Sequence, residues 1–192
     1  MLFDVDGFKA YCINRGWIFD SYSSEFTFQF RICQFLDHIS KQKYIELESN
    51  IERYDIKNKI KKEIDIDVLD ENSKKIAIEI KFIRDQGSFN IGMFDYCKDI
   101  KFLEELVDEK FDKGIAIIFT TIKELYTPPN KIQRPKNIEN LVLYNSFRVD
   151  KVLAGNLRIK TGSKDESLKL KGSYPLNWMD FNDSIKICLV YV

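Results

Sequence analysis

The sequence predicts an α/β fold, a mixed β-sheet flanked by helices in the order helix, strand, strand, strand, helix, strand, with additional β structure towards the C-terminus. Three observations carry this. Apolar residues recur at helical spacing over 24–40 (Phe28, Ile32, Phe35, Leu36, Ile39) and over 90–109 (Phe94, Cys97, Ile100, Leu103, Leu106, Val107). Between them, two runs at 63–69 and 75–82 alternate charged and aliphatic residues at period two. Residues 115–119 form a continuous apolar run of the kind found in a strand buried on both faces.

The remaining elements follow in chain order. Residues 6–15 suit a short helix ending near Gly16, and Trp17, Phe19 and Tyr22 lie in a connecting segment. Ser21, Ser23 and Ser24 offer hydroxyls to cap the helix at 24–40. Residues 43–54 alternate weakly through Tyr44, Ile45, Leu47, Ile51 and Tyr54 and read as the first strand, with Glu46 and Glu48 towards solvent. Asp70-Glu71-Asn72-Ser73-Lys74 favours a turn, so the runs around it form a hairpin. Arg84-Asp85-Gln86-Gly87-Ser88 ends the pattern. In the helix at 90–109, Tyr96, Lys98 and Asp99 lie off the centre of the apolar stripe. Residues 127–140, with Pro128, Pro129 and Pro135 among Asn, Lys and Arg, read as a mobile loop able to approach a substrate. Alternation at 141–143, 149–152, 157–159, 168–170 and 185–192 predicts further strands, either extending the core sheet or lying on it. Tyr174 and Trp178 are candidates for stacking on bases, although isolated aromatics more often pack in a core or at a sheet edge.

At 192 residues the chain is expected to form one domain spanning 1–192, with its core at about 24–120 and a C-terminal extension at about 127–192. Lys+Arg and Asp+Glu both number 30. Zero net charge excludes the lopsided balance of a strongly basic nucleic-acid binder and leaves any cationic surface local. Candidates for that surface are Lys57, Lys59, Lys61 and Lys62, then Lys131, Arg134 and Lys136. An ordinary solvated surface explains either cluster equally well. Cys12, Cys33, Cys97 and Cys188 are widely spaced, and His38, the single histidine, joins them in no recognised zinc spacing. Cys33, Cys97 and Cys188 sit in apolar runs and read as buried thiols. This usage fits a reducing compartment, and the expected location is cytoplasmic. No run reaches the roughly 20 apolar residues that a membrane span needs, and the acidic start Met-Leu-Phe-Asp-Val-Asp lacks the basic and apolar regions of a signal peptide.

The chemistry lies in the hairpin. Glu63, Asp65 and Asp67 share one face of its first strand, and Glu79 and Lys81 share one face of its second. Carboxylates at this density repel one another unless a cation sits among them. If Leu69 pairs with Lys75, Asp65 falls opposite Glu79, Asp67 faces Ala77 and Glu63 faces Lys81. Opposed Cβ atoms lie about 5 Å apart, close enough for two carboxylates to share one divalent ion. A two-residue slip gives that role to Asp67 instead, so periodicity leaves both open and the expected register favours Asp65. Alternating charge is also the ordinary pattern of a half-solvated antiparallel strand.

Asp65 followed by Glu79-Ile80-Lys81 on the next, hairpin-connected strand resembles the PD-(D/E)xK nuclease superfamily, the restriction-endonuclease-like fold. Ile64 stands where the proline of the name would be. The order of elements matches that family's αβββαβ core, and the resemblance spans roughly residues 24–120. It implies a metal-dependent endonuclease that hydrolyses phosphodiester bonds in DNA, with Asp65, Glu79 and the Ile80 carbonyl binding Mg²⁺ (Mn²⁺ as a substitute). Such a hard cation takes oxygen ligands and keeps several waters. Lys81 would orient or deprotonate the attacking water or neutralise the developing charge, with a pKa lowered by burial and by the metal. Many members carry a Glu on the first core helix that points at the metal site. Glu25 matches it, with Gln29 one turn on, though an acid in a first helical turn is equally what the helix dipole favours. The expected partner is nucleic acid, and a homodimer is compatible because many restriction-type enzymes dimerise to cut both strands. Restriction, repair and mobile-element roles all fit.

Two other function classes compete. One is a non-catalytic module that keeps the nuclease fold and binds nucleic acid or protein. The other is a β-rich interaction protein in which the acids of 63–81 spread over solvent and do not converge with Glu25.

Overall fold

A computed structural model describes residues 3–39, 44–57, 59–84, 89–127, 143 and 152–192. Helix α1, Val5–Asn14, starts where the Asp4 carboxylate accepts a hydrogen bond from the Gly7 amide, and it ends before Gly16 at φ 66°. Helix α2, Glu25–Ile39, is capped by Ser24, whose hydroxyl accepts from the Thr27 amide at 3.1 Å. Strand β1, Tyr44–Asn50, is shorter than the sequence predicts. The Asn50 side chain accepts from the Glu52 amide and starts a 3₁₀ turn over Ile51–Tyr54, which takes the last four residues of the expected strand.

Strands β2, Glu63–Leu69, and β3, Lys75–Ile83, form the expected hairpin. Its turn is held by Asp70, whose carboxylate accepts from the amides of Asn72 and Lys74. Leu69 pairs with Lys75 and Asp67 with Ala77, the register favoured by the sequence. Helix α3, Phe89–Glu109, then crosses over to β4, Lys113–Thr120, which runs parallel to β3. A crossover helix is what a parallel pair requires. A short helix α4, Lys123–Tyr126, follows.

The C-terminal part does both things that the sequence left open. Strands β5, Val152–Thr161, and β6, Lys164–Pro175, form a separate two-stranded sheet against α3. Strands β7, Trp178–Asp180, and β8, Lys186–Tyr191, extend the main sheet, whose order is β1-β2-β3-β4-β8-β7. The strand expected at 141–143 is not seen at Leu143, which is helical and buried; the rest of that stretch, most of 149–152 and the proline-rich loop lie outside the described residues. Tyr174 packs in the core, its hydroxyl donating to buried Glu104, and Trp178 lies against the Tyr126 ring. Tyr174 is thus taken up by packing, and Trp178 is half-buried.

Both faces of the sheet are covered. Ile76, Ile78 and Ile80 of β3 pack with α1 and α2, while Ala77 and Ile83 pack beneath α3. Glu79 and Lys81 share the parity of Ala77 and Ile83, so this part of the hairpin's acidic face lies under a helix, while Glu63 at its outer end is exposed. Gly114 is where β4 meets α3 most closely. A Cβ there would lie 2.8 Å from Leu103 Cβ and 3.2 Å from Val192 Cβ. Gly114→Ala should therefore lower the unfolding free energy by about 1–3 kcal/mol, read as an earlier urea midpoint.

Candidate active site

The β2–β3 ladder stops at Ile66↔Ile78. Beyond it carboxylates take over the backbone pairing. The Ile80 amide donates to Asp65 Oδ2 at 2.7 Å, and the Asp65 amide reaches Glu79 Oε1 at 3.4 Å. The hairpin thus opens at its acid pair, and Asp65, not Asp67, stands beside Glu79. Asp67 is buried towards β1, where Ser49 Oγ donates to it at 3.1 Å and Tyr54 Oη also donates.

Glu25 reaches the same place from the first turn of α2. Its Oε1 accepts from Lys81 Nζ at 3.1 Å and its Oε2 from the Phe82 amide at 3.0 Å. Gln29, one turn on, is buried, and its Oε1 accepts no hydrogen bond. Three segments, α2, β2 and β3, therefore deliver Glu25, Asp65, Glu79 and Lys81 to one cluster. Scattered, solvated acids are not what the chain builds.

Two members were not expected. Asp99 of α3 is buried, with Lys61 Nζ 3.1 Å from its Oδ1 and Lys81 Nζ 4.0 Å from its Oδ2. The sequence held a signal for it: Asp99 lies three residues after Tyr96 and four before Leu103, both fully buried, so it shares their helical face. The apolar stripe through Cys97 and Ile100 is buried as expected, but the buried face of α3 extends beyond it to Asp99. Lys61, expected on a cationic surface, turns inward. Its Nζ is hydrogen-bonded to Glu79 and lies 3.9 Å from Asp65 Oδ1. Nothing in the sequence separates it from its neighbours: Lys57 and Lys62 are exposed, and Lys59 pairs with Glu109. Lys131, Arg134 and Lys136 lie outside the described residues.

Burial, with Asp65 nearby, pushes the Glu79 carboxyl well above its usual range despite Lys61. Burial likewise pushes Asp99 up to about 6, against the pull of Lys61 and Lys81. For the lysines burial acts the other way but loses. Glu79, Asp99 and Asp65 raise Lys61, and Asp99 and Glu25 raise Lys81. Burial alone would lower Lys81, as expected, but among these side chains the neighbouring acids outweigh it.

Among the described residues no three His, Cys, Asp or Glu side chains lie close enough together to hold a metal ion. The donor chemistry nonetheless fits a hard divalent cation. The cluster is all carboxylate oxygen, it carries four acids against two ammonium groups, and Asp99 Oδ2 is buried without a hydrogen-bond donor. A groove of about 520 Å³ lies elsewhere, between α2 and β1, and includes Cys33 among its walls but none of these four acids. Cys33 is accordingly only partly buried, whereas Cys97, Cys188 and Cys12 are buried. No helix among the described residues is long and apolar enough to cross a membrane. No family model matches the chain, and no curated protein or solved structure matches it either.

Proposed function

We propose that the chain is a metal-dependent endonuclease of PD-(D/E)xK type that hydrolyses phosphodiester bonds in DNA. The observation that carries this reading is the meeting of Glu25, Asp65, Glu79 and Lys81 where the β2–β3 hairpin opens. Asp65, Glu79 and the Ile80 carbonyl would hold Mg²⁺ or Mn²⁺, with Glu25 supporting a second ion or a bound water. When present, the ion supplies Lewis acidity to water and to the phosphate. Lys81 supplies a fixed positive charge beside it, suited to orienting a nucleophile and to stabilising negative charge on a phosphate oxygen. Glu25 aims that ammonium, and through the Phe82 amide it ties α2 to the open end of β3. The strands hold the group rigidly, as a preorganised site requires.

The test is cleavage of plasmid, single-stranded and branched DNA with Mg²⁺ or Mn²⁺, repeated with Asp65→Ala. Cleavage by the parent and none by the variant is expected. Activity that survives in Asp65→Ala refutes the site, and no cleavage of any substrate refutes the enzyme.

One observation favours a second reading, a non-catalytic module on the same fold. Lys61 and Lys81 already accompany the acids, as lysines would in a site that never takes up metal. Absence of Mn²⁺ binding in calorimetry would decide for it.

A further inference from the structure

Lys61 sits where the oxygens of three carboxylates meet. Its Nζ is bonded to Glu79 Oε2 and lies 3.1 Å from Asp99 Oδ1 and 3.9 Å from Asp65 Oδ1. The acids come from β2, β3 and α3, so only the tertiary fold assembles this shell. Asp99 adds a second oxygen, Oδ2, that is buried and accepts no hydrogen bond. We infer that Lys61 is a resident cation: its ammonium holds the divalent-ion position between Asp65, Glu79 and Asp99, metal binding displaces it, and Asp99 then serves as a further ligand. This rests on the nuclease reading of the same site.

Three features support displacement over mere coexistence. The carboxylates are spaced around an ammonium and, as they stand, form no group able to hold a metal. Three of their oxygens, Glu79 Oε2, Asp99 Oδ1 and Asp65 Oδ1, nonetheless lie within 3.9 Å of the point that Nζ fills. Second, Lys61 has a way out. It lies on the irregular stretch between the 3₁₀ turn and β2, its side chain is 29% exposed, and its four-carbon stem is flexible. Glu79, with no exposure on a central strand, has none. Third, an ammonium and a divalent ion are satisfied by the same oxygen donors, but the ion brings twice the charge to a cluster with an excess of acid. Without metal, Lys61 keeps buried carboxylates from standing unpaired, which is strongly unfavourable. With metal, the freed ammonium swings towards solvent, where its side chain is already partly exposed. The cost is affinity, since a site populated in competent form only part of the time binds more weakly by that fraction.

The experiment compares wild type with Lys61→Met, which keeps the stem and removes the charge. Calorimetric titration with Mn²⁺ should show about tenfold or tighter binding by Lys61→Met. Its thermal midpoint without metal should be lower than that of wild type and should rise more on adding Mn²⁺. Loss of one positive charge alone also tightens metal binding, so a second measurement on wild type decides. Acetylation by a water-soluble N-hydroxysuccinimide ester, read by mass spectrometry, should be slow at Lys61 without metal and several-fold faster at saturating Mn²⁺, with exposed Lys62 unchanged. This arm needs no variant to fold. Saturable Mn²⁺ binding with Lys61 still protected overturns the inference and leaves the nuclease reading standing. No Mn²⁺ binding by either protein overturns the metal reading and the inference with it.

Discussion

Lys81→Ala should bind Mn²⁺ yet cleave DNA roughly 10²–10⁴-fold more slowly in single turnover, the range for losing one positioned group in proton transfer or charge stabilisation. The size follows from how completely the residue is fixed. Lys81 projects from a central strand, is held 3.1 Å from Glu25 Oε1, and keeps its ammonium because Asp99 and Glu25 outweigh its burial. Beside Glu25 its side chain is placed to act as a hydrogen-bond donor and a fixed charge. Lys81→Arg should therefore recover part of the rate, limited because a planar guanidinium cannot occupy the space of a compact ammonium. Full activity in Lys81→Ala would remove this residue from the chemistry. A parallel loss of Mn²⁺ affinity would instead make it part of the scaffold that holds Asp99 and Glu25.

The second large effect concerns the support of Glu25. Phe28→Ala should lower the unfolding free energy by about 3–5 kcal/mol, measured by urea denaturation. Phe28 is fully buried and sits among four other phenylalanines. Its ring stacks on Phe119 at 4.0 Å and on Phe19 at 4.7 Å, and it meets Phe82 edge-on at 5.1 Å and Phe181 at 6.2 Å. The surrounding rings belong to β3, β4 and two connecting segments, so no single movement closes the cavity. Phe28 follows Glu25 by three residues on α2, and its neighbour Phe82 donates its amide to Glu25. Loss of the ring thus loosens the joint between α2 and the end of β3. Cleavage should fall by more than the folded fraction alone predicts.

Much of the fold was legible where one local rule acted alone. Period-two alternation left the hairpin register open to a two-residue slip; the polar turn at 70–74 chose between the two registers, and the amide bonds to Asp70 show why the turn sits there. Helix α2 was legible from its serine cap and apolar spacing. Strand β1 was drawn too long because Ile51 and Tyr54 fit alternation as well as they fit the 3₁₀ turn that Asn50 starts. The site was half legible. Glu25, Asp65, Glu79 and Lys81 sit on elements whose periodicity fixes their faces. Asp99 was hidden because the buried face of α3 is wider than its apolar stripe, taking in Tyr96, Asp99 and Glu104 as well. Lys61 lay in an irregular stretch where no period says which way a side chain turns. The split of the C-terminal part into sheet extension and separate hairpin depends on contacts with α3 and β4, which no local pattern encodes.

The place of β8 in the main sheet has a consequence for how the protein is made. On the ribosome, β4 emerges well before β8, with the whole β5–β6 hairpin between them in sequence. Until β8 arrives, one side of β4 offers open amides and carbonyls along a strand whose Ile115, Ile117, Ile118 and Phe119 have no partner on that side. Such an edge is a template for pairing with other chains. The nascent protein therefore passes through a sticky interval that closes when β8 pairs with β4.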